Sequence, residues 1–503
     1  MKKKYSNILV ILCLLFITFL ICMLSPLDIF TFNAASWIDS SVFKYIGWQM
    51  AEGQIPYLDM FDHKGLLIYF INYIGYIISP HRGVWFIEFI FMFITVLFAY
   101  KIARKFTSKP ISMLIVLIAL APIYSYFEGG NFTEEYALPF QMIALYIFID
   151  FFKNSHKYMS RGDNYKSKVN FKLFNVLVFI NGICMGCVLF LRPNMISIWI
   201  VFCLMVLIYC ILKKYYLELF KFFISFVTGL SIVIIPMAIY LVLNGAFKAF
   251  IDDYILFNMT YATDRKITFI MDVFSEFFTT PIIIFSFVII CSKIYLQIKN
   301  KENCCFNAGY LIYMVLTVIL ISMSGRMYNH YAMTLLPMLL YPICILFVYF
   351  NKVKLKDEFM TIIVVVLITI FVAPTWSKLL FNSVVDIIDK EEPYTNRTIE
   401  YVKANTDEDD KISVWGNSDV IYNFTHRSSA SKYSYQFSVI AMSEKIEKEY
   451  FDDLRKNKPK IIVDGQPLDE YPELAKKWPK FLKDNNYELV FEDSYTVYER
   501  KDN

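Results

Sequence analysis

The sequence predicts a polytopic α-helical membrane protein of about eleven transmembrane helices, followed by a small α/β domain. Of its 503 residues, 57% are hydrophobic and only 19% are charged, and the mean hydropathy is +0.47. These values exclude most water-soluble classes. After Trp376 the composition changes, and charged helical runs alternate with short β-rich runs. The net charge of +4 is too small to indicate a nucleic-acid partner.

Apolar stretches near the length that crosses a bilayer, about 20 residues, recur along the chain. The first follows Met-Lys-Lys-Lys and has no small-residue cleavage site, so we interpret it as a retained anchor. A shorter run at 66–79 is interpreted as an interfacial or re-entrant helix. The predicted spans are 8–26, 84–102, 111–127, 136–152, 173–191, 195–212, 219–242, 281–298, 307–324, 331–350 and 359–377.

Loop charges predict the orientation of these spans, because Lys and Arg collect on the cytoplasmic side. Basic segments such as "KIARKFTSK" and "NKVKLKDE" alternate along the chain and fall on the side of the N-terminal lysines. The outer side then receives the loop 27–83, the short loop "EGGNFTEE" and everything after about residue 378. We therefore predict a transmembrane domain over 1–377 and an extracytoplasmic α/β domain over 378–503.

The predicted outer domain contains the β-rich runs "KISVWG", "KIIVDG" and "YELVFEDSYTVYER" and the charged helical run "SEKIEKEYFDDLRKN". It has no Gly-x-Gly-x-x-Gly and no Walker-type loop, so no nucleotide site is indicated. Eight of the ten cysteines fall in apolar segments and the other two in a Lys-containing loop, and no disulfide framework is implied.

Ionisable side chains collect at span ends on the predicted outer side. A carboxylate near a bilayer can act as a general base, because partial desolvation and neighbouring groups tune its pKa. Arg, Lys and His at the headgroup level can hold a phosphate. These residue types predict a site that removes a proton and holds a lipid phosphate. The residues are Asp39, Asp62, His63, Lys64, Glu134, Glu135, Arg192, Arg326 and His330.

Each of these residues also has a purely structural explanation. Asp39 could cap a helix that opens at Ser40. Glu134 and Glu135 could favour the N-terminus of the helix that they open. The basic residues, taken one at a time, could anchor helix ends at the membrane surface. Their collection on one face favours a site, and that argument depends on the predicted topology.

The order of these motifs carries a resemblance. An acid follows the first span at Asp39, a "G-x-x-P-Y" turn covers Gly53 to Tyr57, and Lys64 opens the helical run "KGLLIY". The acidic pair Glu134-Glu135 comes in the next outer loop. This pattern resembles the bacterial branch of the protein mannosyltransferase and aminoarabinose transferase superfamily, related to glycosyltransferase family 39, which has the C-type glycosyltransferase fold. The resemblance covers roughly residues 1–350.

The resemblance implies transfer of a sugar, with inversion, from a polyprenyl-phosphate donor to a glycan, lipid or protein acceptor on the outer face of the bacterial plasma membrane. It implies that Asp39 deprotonates the acceptor, that Glu134 or Glu135 orients it, and that Lys64 and Arg326 neutralise the phosphate. Asp62, His63, Arg192 and His330 are the further substrate-binding residues that we predict. The chain has Asp-Ser where many relatives have Asp-Glu, which leaves the acceptor and the sugar open.

Some relatives use a divalent metal, but no His/Asp cluster in this sequence is compelling enough to assign one, so no cofactor is predicted. The alternatives are a transporter or flippase for a lipid-linked glycan, an envelope glycan polymerase, and a scaffold without catalysis. Transporters usually place ionisable residues near the bilayer midplane between paired repeats. No internal repeat is apparent in the sequence, which disfavours transport.

Overall fold

The computed structural model describes residues 2–27, 38–158, 165–263, 267–353, 362, 365–366, 368–388, 395–437, 439–440, 443–465 and 471–501. It divides into two compact units, each discontinuous in sequence. The first comprises Met1–Ser25, Phe86–Tyr240 and Ala262–Ile388, and the second comprises Pro26–Trp85, Leu241–Tyr261 and Asp389–Asn503. This division does not follow the boundary at 377/378, and the predicted domain boundaries stay a prediction.

The secondary structure in the described part of the first unit is helical, as its long apolar runs predict. Some helices begin or end beyond the limits of the unit. The helices are Lys2–Cys22, Gly83–Arg104, Lys109–Leu120, Ile123–Tyr126, Thr133–Tyr158, Tyr165–Leu189, Pro193–Met195, Ser197–Leu212, Tyr216–Leu243, Ile267–Thr279, Pro281–Lys299, Cys305–Ser322, Asn329–Leu335, Leu336–Val353, Ile368–Val372 and Ala373–Ile388.

Seven of the described helical segments are long and apolar enough to cross a membrane, so the chain is a membrane protein. Three further predicted spans coincide with shorter apolar helical segments, Ser6–Cys22 within Lys2–Cys22, Phe174–Leu189 within Tyr165–Leu189, and Ser197–Leu212. The predicted span 359–377 lies partly outside the described residues. The count of eleven spans therefore stays a prediction.

Two helices of the first unit pack closely through glycine. A Cβ on Gly182 would lie 2.1 Å from the carbonyl oxygen of Phe226, and a Cβ on Gly229 would lie 2.0 Å from the carbonyl oxygen of Phe179. Neither site has room for a side chain. Small residues that let backbones approach in this way are typical of helix packing in membranes.

The second unit contains a pair of helices, Ile38–Ala51 and Leu66–Ile78, that pack against each other. A Cβ on Gly47 would lie 2.6 Å from the backbone carbonyl carbon of Asn72, so only glycine permits this approach. The helix Leu66–Ile78 has 13 residues and is about 20 Å long, which is shorter than a bilayer core. Its interfacial or re-entrant position stays a prediction. The segment Leu241–Tyr261 adds the helices Phe247–Phe250 and Ile251–Leu256 and most of Phe257–Thr263 to the second unit.

The C-terminal part of the second unit forms a four-stranded sheet at the runs that the sequence predicts. The strands are β1 Ser413–Trp415, β2 Ile461–Asp464, β3 Tyr487–Glu492 and β4 Thr496–Arg500. Their order is β1-β2-β4-β3, with β1 parallel to β2 and the other pairs antiparallel. Helices Arg397–Asn405, Val420–Thr425, Glu444–Asn457 and Pro472–Asp484 accompany the sheet. That this segment is an independent domain stays a prediction.

Candidate functional site

The loop that precedes the helix Leu66–Ile78 is held by two tyrosine hydroxyls. Tyr57 Oη donates to the carbonyl oxygen of Lys64 at 2.7 Å, and the backbone N–H of Lys64 donates to Tyr69 Oη at 3.2 Å. Tyr57 has a left-handed backbone, with φ 67°, which is uncommon for a residue other than glycine. Because the backbone N–H and carbonyl of Lys64 are both hydrogen-bonded, its backbone is held in place and its side chain projects from a fixed position.

Asp62 lies at the centre of this loop and is only 3% exposed. Its Oδ1 accepts from Tyr435 Oη at 2.8 Å and from the backbone N–H of His63 at 2.7 Å, and its Oδ2 accepts from Tyr69 Oη at 2.8 Å. Burial raises the pKa of Asp62, while the charge of Lys64 and the hydroxyl hydrogen bonds act in the opposite direction. The geometry makes Asp62 an organiser of the loop, since its acceptors are already occupied.

The ammonium of Lys64 lies between a histidine and a carboxylate. Lys64 Nζ is 3.1 Å from His63 Nε2 and 3.7 Å from Asp39 Oδ2. The second distance exceeds a hydrogen bond. The side chain of Asp39 is 39% exposed and that of Lys64 is 15% exposed. An incoming anion can therefore compete with Asp39 for this cation.

Asp39 lies within the first turn of the helix Ile38–Ala51. The expectation that it caps a helix opening at Ser40 is wrong, because Ile38 already belongs to the helix. Residues 28–37 lie outside the described part of the chain. A carboxylate in the first turn of a helix interacts favourably with the helix dipole.

A segment far along the sequence reaches the same loop. The backbone N–H of Phe61 donates to the carbonyl oxygen of Lys432 at 2.9 Å, and Tyr435 donates to Asp62 as described. Lys432 Nζ also donates to Asp253 Oδ2 at 2.9 Å. Sequence analysis missed this segment, since the only local signal is the polar and aromatic run "SKYSYQ" between two predicted elements. The loop is thus built from three distant parts of the second unit.

A buried acid, Asp419, connects that segment to the helix that carries Asp39. Ser434 Oγ donates to Asp419 Oδ2 at 2.7 Å, and the backbone N–H of Asp419 donates to Ser41 Oγ at 2.9 Å. Burial raises the pKa of Asp419 to about 7, opposed by the Ser434 hydrogen bond and assisted by the charge of Asp62. This residue, too, was not found by sequence reasoning.

The first unit holds a second group of predicted residues around Arg192. Its guanidinium forms an ion pair with Glu134 Oε1 and lies 3.9 Å from the ring centroid of Tyr331. Thr133 Oγ1 donates to the other oxygen, Glu134 Oε2, at 2.8 Å. The side chain of Glu134 is 3% exposed, against 17% for Arg192. The Glu134 side chain of this pair is therefore buried, and each partner is held by a further contact.

His330 lies beside this pair, between two aromatic rings. Its ring stacks on Phe132 at 4.2 Å and on Tyr328 at 5.5 Å. Its Nδ1 is 2.7 Å from Glu128 Oε2, which also accepts from the His330 backbone N–H at 3.1 Å. Burial acts to raise the pKa of Glu128, but the hydrogen bonds and charge of His330 outweigh it and the pKa is lowered. Glu128 and His330 are therefore joined by two hydrogen bonds.

Glu135 and Arg326, the two remaining predicted residues of the first unit, have different hydrogen-bond partners. Glu135 is fully buried, its Oε2 accepts from the backbone N–H of Asn131 at 2.8 Å, and its carboxyl interacts with that of Glu88. Arg326 Nη1 donates to Tyr328 Oη at 2.9 Å. Of the acidic pair in the second loop, only Glu134 meets a predicted cation among the described contacts.

Seven of the nine predicted site residues thus form two groups in two different units. We name the first the lysine cluster, which consists of Asp39, Asp62, His63, Lys64 and Tyr435. We name the second the arginine cluster, which consists of Glu128, Glu134, Arg192, His330 and Tyr331. Among the described residues, no three His, Cys, Asp or Glu side chains come together to hold a metal ion.

The fold defines a class of protein when it is compared with solved structures. Crystal structures of ArnT from Cupriavidus metallidurans match with TM-scores of 0.58 (bound to undecaprenyl phosphate) and 0.57 (apo state), both at 10% identity. The match to the structure with undecaprenyl phosphate covers 97% of this chain and 97% of the ArnT chain. The match to the apo structure covers 99% of this chain and 98% of the ArnT chain. An Archaeoglobus fulgidus oligosaccharyltransferase tethered with an acceptor peptide matches with a TM-score of 0.50 at 12% identity, covering 99% of this chain and 74% of that one. The chain has the C-type glycosyltransferase fold, and the predicted resemblance is confirmed.

The family follows from the sequence. Residues 1–359 match the family model described as "Putative competence-induced protein Ccs4 N-terminal domain". Residues 394–501 match the model described as "Ccs4_C: Putative competence-induced protein Ccs4 C-terminal domain". The chain belongs to this Ccs4 family, since the first match alone covers more than half of it. No curated protein matches the chain.

Proposed function

We propose that this protein is an integral-membrane glycosyltransferase that moves a sugar from a polyprenyl-phosphate donor to a cell-envelope acceptor. The observation that carries the proposal is the contact of Lys64 Nζ with Asp39 Oδ2 at 3.7 Å, which places a cation and a carboxylate together in a C-type glycosyltransferase fold. The ArnT structure that matches over 97% of both chains is bound to undecaprenyl phosphate. A lipid phosphate of that class is the leaving group that we propose here.

The chemistry assigns one role to each partner of this pair. The donor phosphate binds the Lys64 ammonium in place of Asp39, and the Asp39 carboxylate is thereby released from its ion pair. Asp39 then accepts the proton of the acceptor hydroxyl or amine, while the acceptor atom forms a bond to the anomeric carbon. The bond from that carbon to the phosphate oxygen breaks, and polyprenyl phosphate leaves with the electron pair. Lys64 stabilises the negative charge that develops on the phosphate.

The remaining residues supply binding and orientation in this proposal. Asp62 and His63 fix the loop from which Lys64 projects. The substrate-binding roles predicted for Arg192, His330 and Arg326 stay predictions. The orientation of the acceptor by Glu134 or Glu135 stays a prediction. Guanidinium and imidazole groups suit phosphate and hydroxyl ligands, respectively.

The proposed setting is the bacterial plasma membrane, with the lysine cluster and the C-terminal segment outside. The support is the alternation of basic loops, which puts the N-terminal lysines and the segments "KIARKFTSK" and "NKVKLKDE" on the cytoplasmic side. The acceptor is a cell-envelope glycan, lipid or protein. A polymerase would use the same donor chemistry with a growing glycan as its acceptor.

The test is release of polyprenyl phosphate from a panel of polyprenyl-phosphate sugars by the purified full chain, with envelope extract as the acceptor. We expect one donor to be consumed by the wild type and spared by Asp39→Asn and Lys64→Ala. Glu52→Gln is the control, since Glu52 is an exposed acid in the same predicted loop. Consumption of no donor, or equal turnover by all variants, would contradict the proposal and would make transport the next function to test.

A further inference from the structure

The helix that carries Asp39 packs against a neighbouring helix through one face. Asp39, Phe43 and Gly47 follow one another at intervals of four residues, and residues at this interval lie on the same face of a helix. The ring of Phe43 lies 6.5 Å from that of Tyr69, and Gly47 leaves no room for a Cβ against Asn72. Tyr69 and Asn72 both belong to the neighbouring helix. Asp39 therefore begins the face that is directed at that helix.

The opposite face of the same helix binds the C-terminal segment of the second unit. Ser41, Tyr45 and Gln49 also follow at intervals of four residues, but they are offset by two from the first set and so point to the other side. The backbone N–H of Ser429 donates to Tyr45 Oη at 2.8 Å, and Gln49 Nε2 donates to Ser428 Oγ at 3.1 Å. The helix is therefore held from two sides.

Ser41 binds the C-terminal segment through both its side chain and its backbone. Its hydroxyl donates to the carbonyl oxygen of Ile38 at 2.6 Å, so the hydroxyl oxygen accepts the backbone N–H of Asp419 at 2.9 Å, and Ser418 Oγ lies 3.2 Å from it. The Ser41 carbonyl oxygen accepts from Asn423 Nδ2 at 2.8 Å. Ser41 and Asp419 are fully buried, where an N–H that loses its acceptor is costly. Three contacts from distant sequence thus converge on the first turn of the helix.

We propose that Ser41 is a positioning residue, which joins the first turn of its helix to the C-terminal segment and so fixes the Asp39 carboxylate opposite the Lys64 ammonium. Asp39 lies two residues before Ser41 in the same turn, so a backbone movement at Ser41 displaces it. The contact of 3.7 Å with Lys64 is longer than a hydrogen bond and does not fix the carboxylate by itself. The role of Ser41 in the fold stands alone, and only the step to proton removal by Asp39 rests on the proposed function.

The contacts of Ser41 can be removed in two independent ways. Ser41→Ala removes the acceptor of the Asp419 N–H, and Asn423→Ala removes the donor to the Ser41 carbonyl oxygen. Asn423 is only partly buried, so we expect its replacement to fold even if Ser41→Ala does not. The matched control is Ser428→Ala, which removes the bond to Gln49 at the other end of the same face. A general loosening of the segment is common to all these variants, whereas a change at the first turn is specific to Ser41 and Asn423.

The direct experiment is hydrogen exchange of the purified full chain, followed by mass spectrometry of peptides from the helix. The amides of residues 42–45 report the first turn, because they bond to its carbonyl oxygens, and those of residues 48–51 report the far end. We expect exchange over 42–45 to rise about fivefold in Ser41→Ala and in Asn423→Ala and further in the double variant, and to stay unchanged in Ser428→Ala. Unchanged exchange over 42–45 in the double variant would overturn the proposal, and so would an equal rise in Ser428→Ala.

The second experiment measures the consequence for Asp39, as sugar transfer per site that binds undecaprenyl phosphate, which corrects for misfolded protein. We expect turnover per site to fall about tenfold in Asn423→Ala and to stay within about twofold in Ser428→Ala. The affinity for the lipid should be unchanged in both, since the loop that presents Lys64 keeps its own hydrogen bonds. Faster exchange with wild-type turnover, or a parallel loss of lipid affinity, would overturn the link to Asp39. If the wild type transfers no sugar, the proposed function fails, and hydrogen exchange alone decides whether Ser41 holds the turn.

Discussion

The lysine cluster and the arginine cluster both pair a cation with a carboxylate, but they hold the pair differently. Lys64 Nζ stands 3.7 Å from Asp39, whose side chain is 39% exposed. Arg192 contacts Glu134, which is 3% exposed, and also lies 3.9 Å from the ring centroid of Tyr331. A partly exposed pair can exchange partners at little cost, whereas breaking a buried pair leaves a charge without compensation. The first arrangement suits a ligand that binds and leaves, and the second suits a fixed support.

The largest expected effect separates catalysis from binding in the lysine cluster. Asp39→Asn removes the proposed base, so we expect sugar transfer to fall by about 10²–10⁴-fold. The same change removes a negative charge 3.7 Å from Lys64, and undecaprenyl phosphate should bind at least as tightly as to the wild type. Turnover and lipid binding are measured on the same preparations. Loss of lipid binding in parallel with turnover would mean that Asp39 supports the loop and does not act as the base.

Replacing the arginine of the arginine cluster is expected to lower the free energy of unfolding. Arg192→Ala leaves Glu134 buried without its cation, and we expect a loss of about 3–5 kcal/mol of folding free energy. The thermal unfolding midpoint in detergent reports it. The control is Arg455→Ala, since Arg455 pairs with Asp452 at the surface and such pairs are worth about 0–1 kcal/mol. If Arg192→Ala and Arg455→Ala both have the unfolding midpoint of the wild type, the ion pair of Arg192 with Glu134 is not a structural support.

The buried acid beside the lysine cluster predicts a dependence of stability on pH. Burial raises the pKa of Asp419 to about 7, so the folded state holds a proton that the unfolded state releases at about pH 4. Stability from this group is therefore greatest at low pH and falls as the pH rises from about 4 to about 7, by up to about 4 kcal/mol.

The comparison that tests this dependence is Asp419→Asn, which keeps an acceptor for Ser434 without a titrating carboxyl. We expect its unfolding midpoint to fall less than that of the wild type between pH 5 and pH 8. Parallel curves for the two proteins would show that Asp419 is ionised at neutral pH in the folded state. The transfer assay is not needed for this measurement.

The smallest expected effect on stability concerns the hydrogen bonds between Glu128 and His330 in the arginine cluster. Glu128→Gln removes the carboxylate that accepts from His330, and we expect a loss of about 1 kcal/mol at pH 7. The pKa of Glu128 is lowered in the folded state, so its contribution is present above its unfolded pKa and is lost as the pH falls. The midpoint difference between the wild type and the variant should vanish in acid. A difference that persists in acid would point to packing and not to charge.

Much of the fold could be predicted from the sequence. Apolar runs gave most of the helices, the change of composition after Trp376 gave the four strands, and the order of Asp39, Lys64 and Glu134-Glu135 indicated the C-type glycosyltransferase fold. Hydropathy did not settle the number of spans, because three of the predicted spans fall on described apolar helical segments of fewer than 18 residues. Division into compact units was also not predictable, since each unit combines distant segments.

The candidate site was only partly predictable, for a physical reason. Asp39 and Lys64 carry recognisable local motifs, and the structure brings them together. Tyr435 contacts Asp62 across 373 residues of sequence, and neither its periodicity nor its neighbours indicate that contact. The pairing of Arg192 with Glu134 spans 58 residues and likewise depends on helix packing. Local patterns identify residue types that suit a chemistry, whereas tertiary contacts decide which of them meet.

The most direct test of the central claim is the binding of undecaprenyl phosphate to the purified wild type, Lys64→Ala and Lys44→Ala. Lys44 lies on the same helix as Asp39 and controls for the loss of one positive charge nearby. We predict saturable binding to the wild type and Lys44→Ala, and a loss of about tenfold or more in affinity for Lys64→Ala. Equal affinity for all three proteins would contradict the assignment of the lysine cluster to the lipid phosphate.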